Sequence, residues 1–238
     1  MGRRRSRREL IAWCGQDRDM LLTTFRHHFP GPRVERPAEV LDDILTELLD
    51  FDLVELELPR GQLALCDFEQ RRVTVTTQMA QTVRPNTNLL ALANSTKAHE
   101  LGHIRLHEEE LFGASDGQSG LLFPELAPST RLVTYRDEER KDLSAEERRR
   151  EWEADLYAAI FLVPEPILFE RYQMRRIQAA LEEGRELSSR YLWSLTYELA
   201  RWFVVSPTMM KNHLVGLGFL EYRPNSRELA LSSQLRLC

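Results

Sequence analysis

The sequence predicts an α+β fold, in which a small mixed β-sheet and long helices precede a mostly helical, helix-turn-helix-like C-terminal domain. Alternation of apolar and polar residues, which is typical of strands, is concentrated between residues 53 and 77. Apolar residues at helical spacing dominate most of the remaining chain. Near the C-terminus a Ser-Pro pair separates two short helical patterns, as expected for two helices joined by a tight turn.

Residues 1–35 are predicted to be a basic arm and a lead-in to the fold. Met1 to Glu9 carries five arginines, and no apolar stretch follows them, so the segment is not a secretory signal. Termini of this kind are commonly disordered. The alternative is a short contact with nucleic acid or with an acidic partner.

The overall composition indicates a cytoplasmic protein with no membrane partner. No apolar run approaches the roughly 20 residues that a membrane helix requires. The three cysteines, Cys14, Cys66 and Cys238, are odd in number and far apart, which argues against a disulfide framework. A net charge of -5 gives no global attraction to nucleic acid, so any such role has to be local.

One helix and three strands are predicted ahead of the most informative motif. Apolar residues at helical spacing predict a helix from Glu39 to Phe51. The strands are predicted at Leu53 to Leu58, Gln62 to Cys66 and Arg72 to Thr77. The last two strands would form a hairpin with its turn at Asp67 to Gln70. A helix from Leu89 to Glu109 follows, with Asn88 or Thr87 as its N-cap.

Further elements are predicted beyond residue 130. Arg131 to Tyr135 has a strand-like pattern. Ser144 and Glu147 form a capping-box pattern that would start a helix, and this helix would stop near Pro164 because proline cannot continue it. Ile167 to Glu183 predicts another helix, which ends before a glycine.

The motif His99-Glu100-Leu101-Gly102-His103 is an HExxH pattern within the predicted helix 89–109. Two histidines four positions apart project from one helix face, so their ring nitrogens can meet at one metal ion. Glu100 lies beside that face, where it can act as general base. The competing interpretation is a surface helix with two hydrogen-bonded histidines. The pattern alone predicts a zinc-dependent hydrolase.

The third metal ligand is harder to assign from the residues. A histidine at position 109 is ruled out because Glu109 stands there. His107 is predicted to orient or cap rather than bind, because three histidines at successive four-residue steps curve away from a single point. The apolar segment 151–159 carries three acids, namely Glu151, Glu153 and Asp155, and acids on so apolar a helix need a partner. Glu151 as ligand, with Asp155 orienting a histidine, is physically possible.

Three segments together resemble the ImmA/IrrE family of bacterial metallopeptidases. They are the run from His99 to His107, the acid-bearing segment 151–159 and Phe161-Leu-Val-Pro164. The resemblance covers approximately residues 53–220. It implies a gluzincin-like metalloendopeptidase in which His99, His103 and Glu153 hold Zn²⁺ and Glu100 is the general base. The donor set would also admit Mn²⁺ or another divalent ion. The resemblance thus favours Glu153 over Glu151.

Two features depart from the family pattern. Val163 stands where a methionine is usual, and the 50 positions from His103 to Glu153 are more than expected. The extra material is placed at about 108–150, within a metallopeptidase core of residues 36–166. This insertion is either a passive surface excursion or a lid that binds substrate. Tyr157 could donate to a developing oxyanion, but a packed aromatic is the preferred interpretation.

The segment Tyr197 to Glu221, within a C-terminal domain of residues 167–238, has helix-turn-helix spacing, with Ser206 as cap and Pro207 at the first helical position. The second helix would present Thr208, Met209, Lys211, Asn212 and His213. Lys211 is the single cation among them, so partner docking is favoured over DNA binding.

The resemblance implies limited cleavage of a regulatory protein, in particular a helix-turn-helix DNA-binding repressor, in stress response or mobile-element control. Two other functions stay open. One is a non-catalytic anti-repressor that binds its partner without cutting it. The other is a DNA-binding regulator whose metal site is structural or sensory.

Overall fold

The computed structural model describes residues 6–31, 34–77, 88–113, 131–135, 143–226 and 228–233. Within them the chain is a mixed α+β protein with a small mixed sheet, which confirms the predicted fold class at that level. The arginines at positions 3–5 and most of the predicted 108–150 insertion lie outside the described residues. The insertion contributes the end of one helix, one strand and the start of another helix to the described part.

The first helix, α1 (Arg7–His28), was not anticipated from the sequence, which predicted an arm and lead-in for residues 1–35. A capping box starts it, because Ser6 accepts from the backbone of Glu9 while the Glu9 side chain accepts from the backbone of Ser6. Its inner face buries six residues, namely Leu10, Cys14, Asp17, Leu21, Leu22 and Phe25. Helix α1 is therefore part of the core and not a lead-in.

The predicted helix 39–51 is shorter and less regular than expected. A 3-10 turn at Pro37–Glu39 leads into α2 (Leu41–Asp43), which continues as a π-helical turn at Ile44–Leu48. Leu41, Ile44 and Leu45 are fully buried and Leu48 and Leu49 are partly buried, so the pattern identified core residues even where it overestimated the regular helix.

The four-stranded sheet comprises β1 (Asp52–Leu56), β2 (Gln62–Asp67), β3 (Arg72–Thr76) and β4 (Arg131–Tyr135). Its strand order is β1-β3-β2-β4, with β1 parallel to β3 and the other two pairings antiparallel. The predicted β2–β3 hairpin is confirmed. The strand predicted at Arg131–Tyr135 is also confirmed, and it forms the sheet edge next to β2.

Two long helices, α3 (Leu89–Gly113) and α4 (Ala145–Leu162), pack closely against each other. Both predicted caps are present: Asn88 accepts from the backbone N–H of Ala91, and Ser144 forms the predicted capping box. The helices are in close contact at Gly102, where an added Cβ would lie 2.9 Å from Cα and from the carbonyl oxygen of Ala154. This contact brings the HExxH motif against the acid-bearing helix.

The C-terminal part comprises four helices and a short antiparallel hairpin. The helices are α5 (Glu165–Phe169), α6 (Tyr172–Glu182), α7 (Ser189–Phe203) and α8 (Pro207–Gly216), and the strands are β5 (Leu220–Tyr222) and β6 (Leu229–Leu231). The single helix predicted for 167–183 is thus divided between α5 and α6. The α7–α8 connection docks on α3, because Ser206 donates to Oγ of Ser95 at 2.8 Å and Asn94 donates to the carbonyl of Val204 at 3.2 Å.

The described residues show the state of two cysteines and the character of the helices. Cys14 and Cys66 are buried free thiols, and Cys238 lies outside the described residues. Among the helices that the structure describes, none combines the length and the apolar character needed to cross a membrane.

Candidate metal centre

Helices α3 and α4 bring two histidines and one carboxylate together. Nε2 of His103 lies 3.0 Å from Nε2 of His99 and 3.1 Å from Oε1 of Glu151. Nε2 of His99 lies 3.5 Å from Oε2 of Glu151. All three residues are buried, and one ligand atom from each lies within 4.8 Å of the others. These residues form the candidate metal centre.

The spacing of these atoms fits a divalent ion. Donors at about 2.0–2.2 Å from a tetrahedral zinc ion lie roughly 3.4 Å from one another. The observed separations of 3.0, 3.1 and 3.5 Å are close to that value. Three protein donors leave a fourth position, which is the pattern of catalytic rather than structural zinc sites. The imidazole and carboxylate donors also accept Mn²⁺ and other divalent ions.

Asp155 fixes the orientation of His99. The Asp155 carboxylate lies 2.7 Å from Nδ1 of His99, and a carboxylate can only accept, so Nδ1 carries the hydrogen. Nε2 of His99 is thereby directed toward the other two donors. Burial acts to lower the pKa of His99, but Asp155 and Glu151 outweigh it and raise that pKa to about 10. The anionic surroundings of His99 favour a positive charge, whether a proton or a metal ion supplies it.

The other two donors have the protonation states that metal ligands require. Burial lowers the pKa of His103 to about 4, so its ring is neutral at pH 7. Burial acts to raise the pKa of Glu151, but hydrogen bonds and charge from His103 and His99 bring it well below its ordinary value. A neutral imidazole and an ionised carboxylate are the forms that bind a cation.

Glu153, the third ligand implied by the family resemblance, lies outside this cluster. Its Oε2 accepts from Nη1 of Arg149 at 2.5 Å and lies 3.7 Å from Nε2 of His107. The reason is helical periodicity: Glu151 and Asp155 are four positions apart and share the face toward His99 and His103, whereas Glu153 is about half a turn away from both and reaches His107 instead. The geometry thus favours Glu151 over Glu153 as the third ligand, the arrangement that the residues alone had left open.

His107 lies one turn beyond His103, with ring centroids 5.5 Å apart. It is outside the group of three donors and faces Glu153 and Glu110. Burial lowers its pKa to about 3, so the ring is neutral at pH 7. Its position agrees with the expectation that His107 is not a ligand.

Glu100 is completely buried, and a contact that sequence reasoning missed holds its carboxylate. Thr134 on β4 donates its hydroxyl hydrogen to Oε1 of Glu100 at 2.5 Å. The strand was predicted, but nothing in its sequence indicated that one of its threonines reaches the motif. The insertion thus contributes directly to the site, because β4 belongs to it.

Tyr157 does not face the candidate centre as an oxyanion donor would. Its hydroxyl donates to Oδ2 of Asp17 on α1 at 2.6 Å, and Arg105 on α3 binds the same carboxylate through two nitrogens. The Tyr157 side chain is fully buried, which agrees with the expectation of a packed aromatic. This network joins α1 to the two helices that carry the centre.

Comparison with known proteins assigns no family. No protein-family model matches the chain, and no curated protein matches it. The resemblance to the ImmA/IrrE family therefore depends on the motif residues themselves.

Proposed function

We propose that this chain is a zinc-dependent metallopeptidase of the ImmA/IrrE type. The observation that carries the proposal is the convergence of His99, His103 and Glu151, with Glu100 on the turn that bears both histidines. A structural zinc site would have no use for a buried carboxylate in that position. A bound Zn²⁺ would polarise a peptide carbonyl as a Lewis acid and would lower the pKa of a water molecule bound to it.

The chain's own residues divide the remaining work. His99, His103 and Glu151 would hold the ion, and Asp155 keeps the His99 ring in the binding orientation. Glu100 would accept a proton from the attacking water and return it to the leaving amine, which is general base and then general acid catalysis. Thr134 restrains one oxygen of Glu100, so that the carboxylate keeps a fixed position during both transfers.

The substrate we propose is a protein, cleaved at a limited number of sites. The family resemblance suggests a helix-turn-helix repressor as the substrate and the cytoplasm as the compartment. The centre is deeply buried and partly bordered by β4, so an extended chain is a better fit than a folded surface. Main-chain pairing with the β4 edge would be one way to hold such a chain.

The test is Glu100→Gln, with Glu109→Gln as the matched control on the exposed face of α3. The zinc-loaded proteins are incubated with a candidate repressor, and fragments are resolved on a gel beside metal analysis. We expect a single new fragment with wild type and with Glu109→Gln. Glu100→Gln should retain zinc and lose cleavage, because it keeps the ligands and removes the base.

Two outcomes contradict the proposal. If the repressor survives intact while a stable complex forms, the chain is a non-catalytic anti-repressor. If Glu100→Gln cleaves as fast as wild type, the glutamate is not the base and the peptidase mechanism fails.

A further inference from the structure

A small cavity lies between α1, the end of α4, α5 and α8, and it shares no residue with the candidate metal centre. Its volume is about 150 Å³. Four residues form an apolar wall: Ile11 on α1, Ile160 and Val163 at the end of α4, and Pro166 on α5. A cavity of about this volume can hold a molecule as large as benzene. The space is therefore sufficient for a ligand of about six to nine non-hydrogen atoms.

The ring of His213 lines this cavity, and one of its nitrogens has no partner. The side chain is buried, and its hydrogen bond to the backbone of Val163 is with the carbonyl, because the Val163 N–H donates to Ala159. Nε2 forms no hydrogen bond with any residue that the structure describes. The bond to Val163 therefore uses Nδ1–H, and Nε2 of the neutral ring is an acceptor. Since buried polar atoms are nearly always paired, the cavity calls for a ligand that donates a hydrogen.

Arg18 on α1 presents a guanidinium group to the same cavity. Its Nη1 donates to the carbonyl of Ile160 at 3.2 Å, while Nε and Nη2 donate to Oδ1 of Asp19 at 2.9 and 2.7 Å. These bonds use three of the five guanidinium hydrogens, and within the described ranges the other two have no acceptor. Asp19 is 68% exposed, so water screens its charge, whereas Arg18 is only 12% exposed. The guanidinium can thus bind a second anion from the cavity side.

Glu165, at the start of α5, adds a carboxylate of opposite charge to the cavity wall. No ion pair joins it to Arg18 or to another residue in the described part of the chain. A ligand with only a negative group would face Glu165, and a ligand with only a positive group would face Arg18. A molecule that carries both charges pairs each of them, and it leaves neither wall residue unpaired in the closed cavity.

We propose that this cavity binds a free α-amino acid with a short apolar side chain. The carboxylate of the amino acid would pair with Arg18, and its ammonium group would face Glu165 and donate to Nε2 of His213. Its side chain would lie against the apolar wall. The site borders the helix that carries Glu151 but contains none of the metal-binding residues. It therefore goes beyond the proposed peptidase activity, and its failure would leave that activity untouched.

The test is isothermal titration calorimetry of the zinc-loaded full chain with L-valine, which is in the middle of the size range. Isovalerate, which lacks the ammonium group, and isobutylamine, which lacks the carboxylate, are the ligand controls. We expect L-valine to bind with a Kd in the micromolar to millimolar range, as is reasonable for so small a ligand. Each analogue should bind at least about tenfold more weakly, because it leaves one charged group of the cavity unpaired.

Gly15 allows the cavity to be filled without disturbing the fold. It lines the cavity, and nothing lies within 4 Å of a Cβ added to it. Gly15→Leu should occupy the space and abolish the binding of L-valine, while urea unfolding shows that the variant is folded. Ala12→Leu places the same side chain at an exposed position of α1 and should bind L-valine as wild type does.

A second pair of variants tests the recognition of the carboxylate. Arg18→Gln should lower the affinity for L-valine by about 10–100-fold, because it removes the charged partner. Arg8→Gln, at an exposed position of the same helix, is the control and should have no effect. The proposal is overturned if L-valine does not bind at about 10 mM, if Gly15→Leu binds it as wild type does, or if either analogue binds as tightly as L-valine.

Discussion

Asp155 accepts a hydrogen bond from Nδ1 of His99 at 2.7 Å, and this bond determines which nitrogen of His99 faces Glu151. An acid that orients a metal-binding histidine typically changes metal affinity by 10–100-fold when it is removed. We therefore expect Asp155→Asn to bind zinc about 10–100-fold more weakly, because the charge and the enforced ring tautomer are both lost. Competition with a chromogenic chelator measures the affinity. Glu153→Gln, the same chemical change two positions away, should bind nearly as wild type does.

The choice between two acids of α4 gives a second prediction. Glu151→Ala should purify with little or no zinc, because it removes the carboxylate between His99 and His103. Glu153→Ala should keep the full metal content, because this side chain contacts Arg149 and His107 instead. Metal content per chain is measured by elemental analysis. Zinc retained in the first variant and lost in the second would restore the assignment that the family resemblance implied.

Gly102, between the two ligand histidines, is expected to tolerate no side chain. A Cβ there would meet the backbone of Ala154 at 2.9 Å, and backbone cannot move aside as a flexible side chain does. We expect Gly102→Ala to lower the free energy of unfolding by roughly 2–4 kcal/mol through overpacking. Gly15→Ala on α1 is the matched control, since nothing lies within 4 Å of its added Cβ. It should stabilise the protein by up to about 1 kcal/mol, and urea unfolding of both variants measures the contrast.

Much of the fold could be predicted because its signals are local. Ser144 and Glu147 lie in one turn, and the alternation in β2 and β3 is a property of consecutive residues, so both elements were identified with nearly correct bounds. Helix α1 was missed because its arginine-rich start was interpreted as an arm. The capping serine at position 6 was a signal that could have found it.

The site was predicted less completely because it depends on distant residues. The two histidines and Glu100 belong to one helical turn, and their spacing alone places them together. Choosing Glu151 requires the rotation of α4 about its axis relative to α3, which the family pattern did not convey. Thr134 reaches Glu100 only because β4 is added at the sheet edge, a pairing that sequence spacing cannot specify.

The contact from Thr134 to Glu100 predicts a positioning role. Thr134→Val keeps the shape of the side chain and removes the hydroxyl that holds the carboxylate. We expect kcat to fall about tenfold with little change in KM and none in zinc content, since a general base works best when it is held in place. Thr134→Ser should restore most of the activity, which a merely structural loss would not allow. Equal activity in Thr134→Val and wild type would contradict the role.

His213 on α8 gives the protein a defined sensitivity to acid. Burial lowers its pKa to about 4, although a hydrogen bond to the backbone of Val163 acts the other way. In the unfolded chain His213 takes up a proton near its ordinary pKa of 6.5, and in the folded chain it does so only near pH 4. The contribution of the neutral ring to stability is therefore complete above pH 6.5 and is lost as the pH falls toward 4. Between pH 7.5 and 4.5 the loss due to this group should be about 2–3 kcal/mol.

Urea unfolding at both pH values tests that expectation. His213→Asn keeps a hydrogen-bond donor for Val163 and has no titrating group at this position. Its free energy of unfolding should therefore fall by about 2–3 kcal/mol less than that of wild type between the two pH values. His27→Asn, at an exposed position of α1, is the control and should follow wild type. Equal losses of stability in wild type and His213→Asn on acidification would contradict the prediction. They would show that the His213 ring is not held neutral in the folded protein.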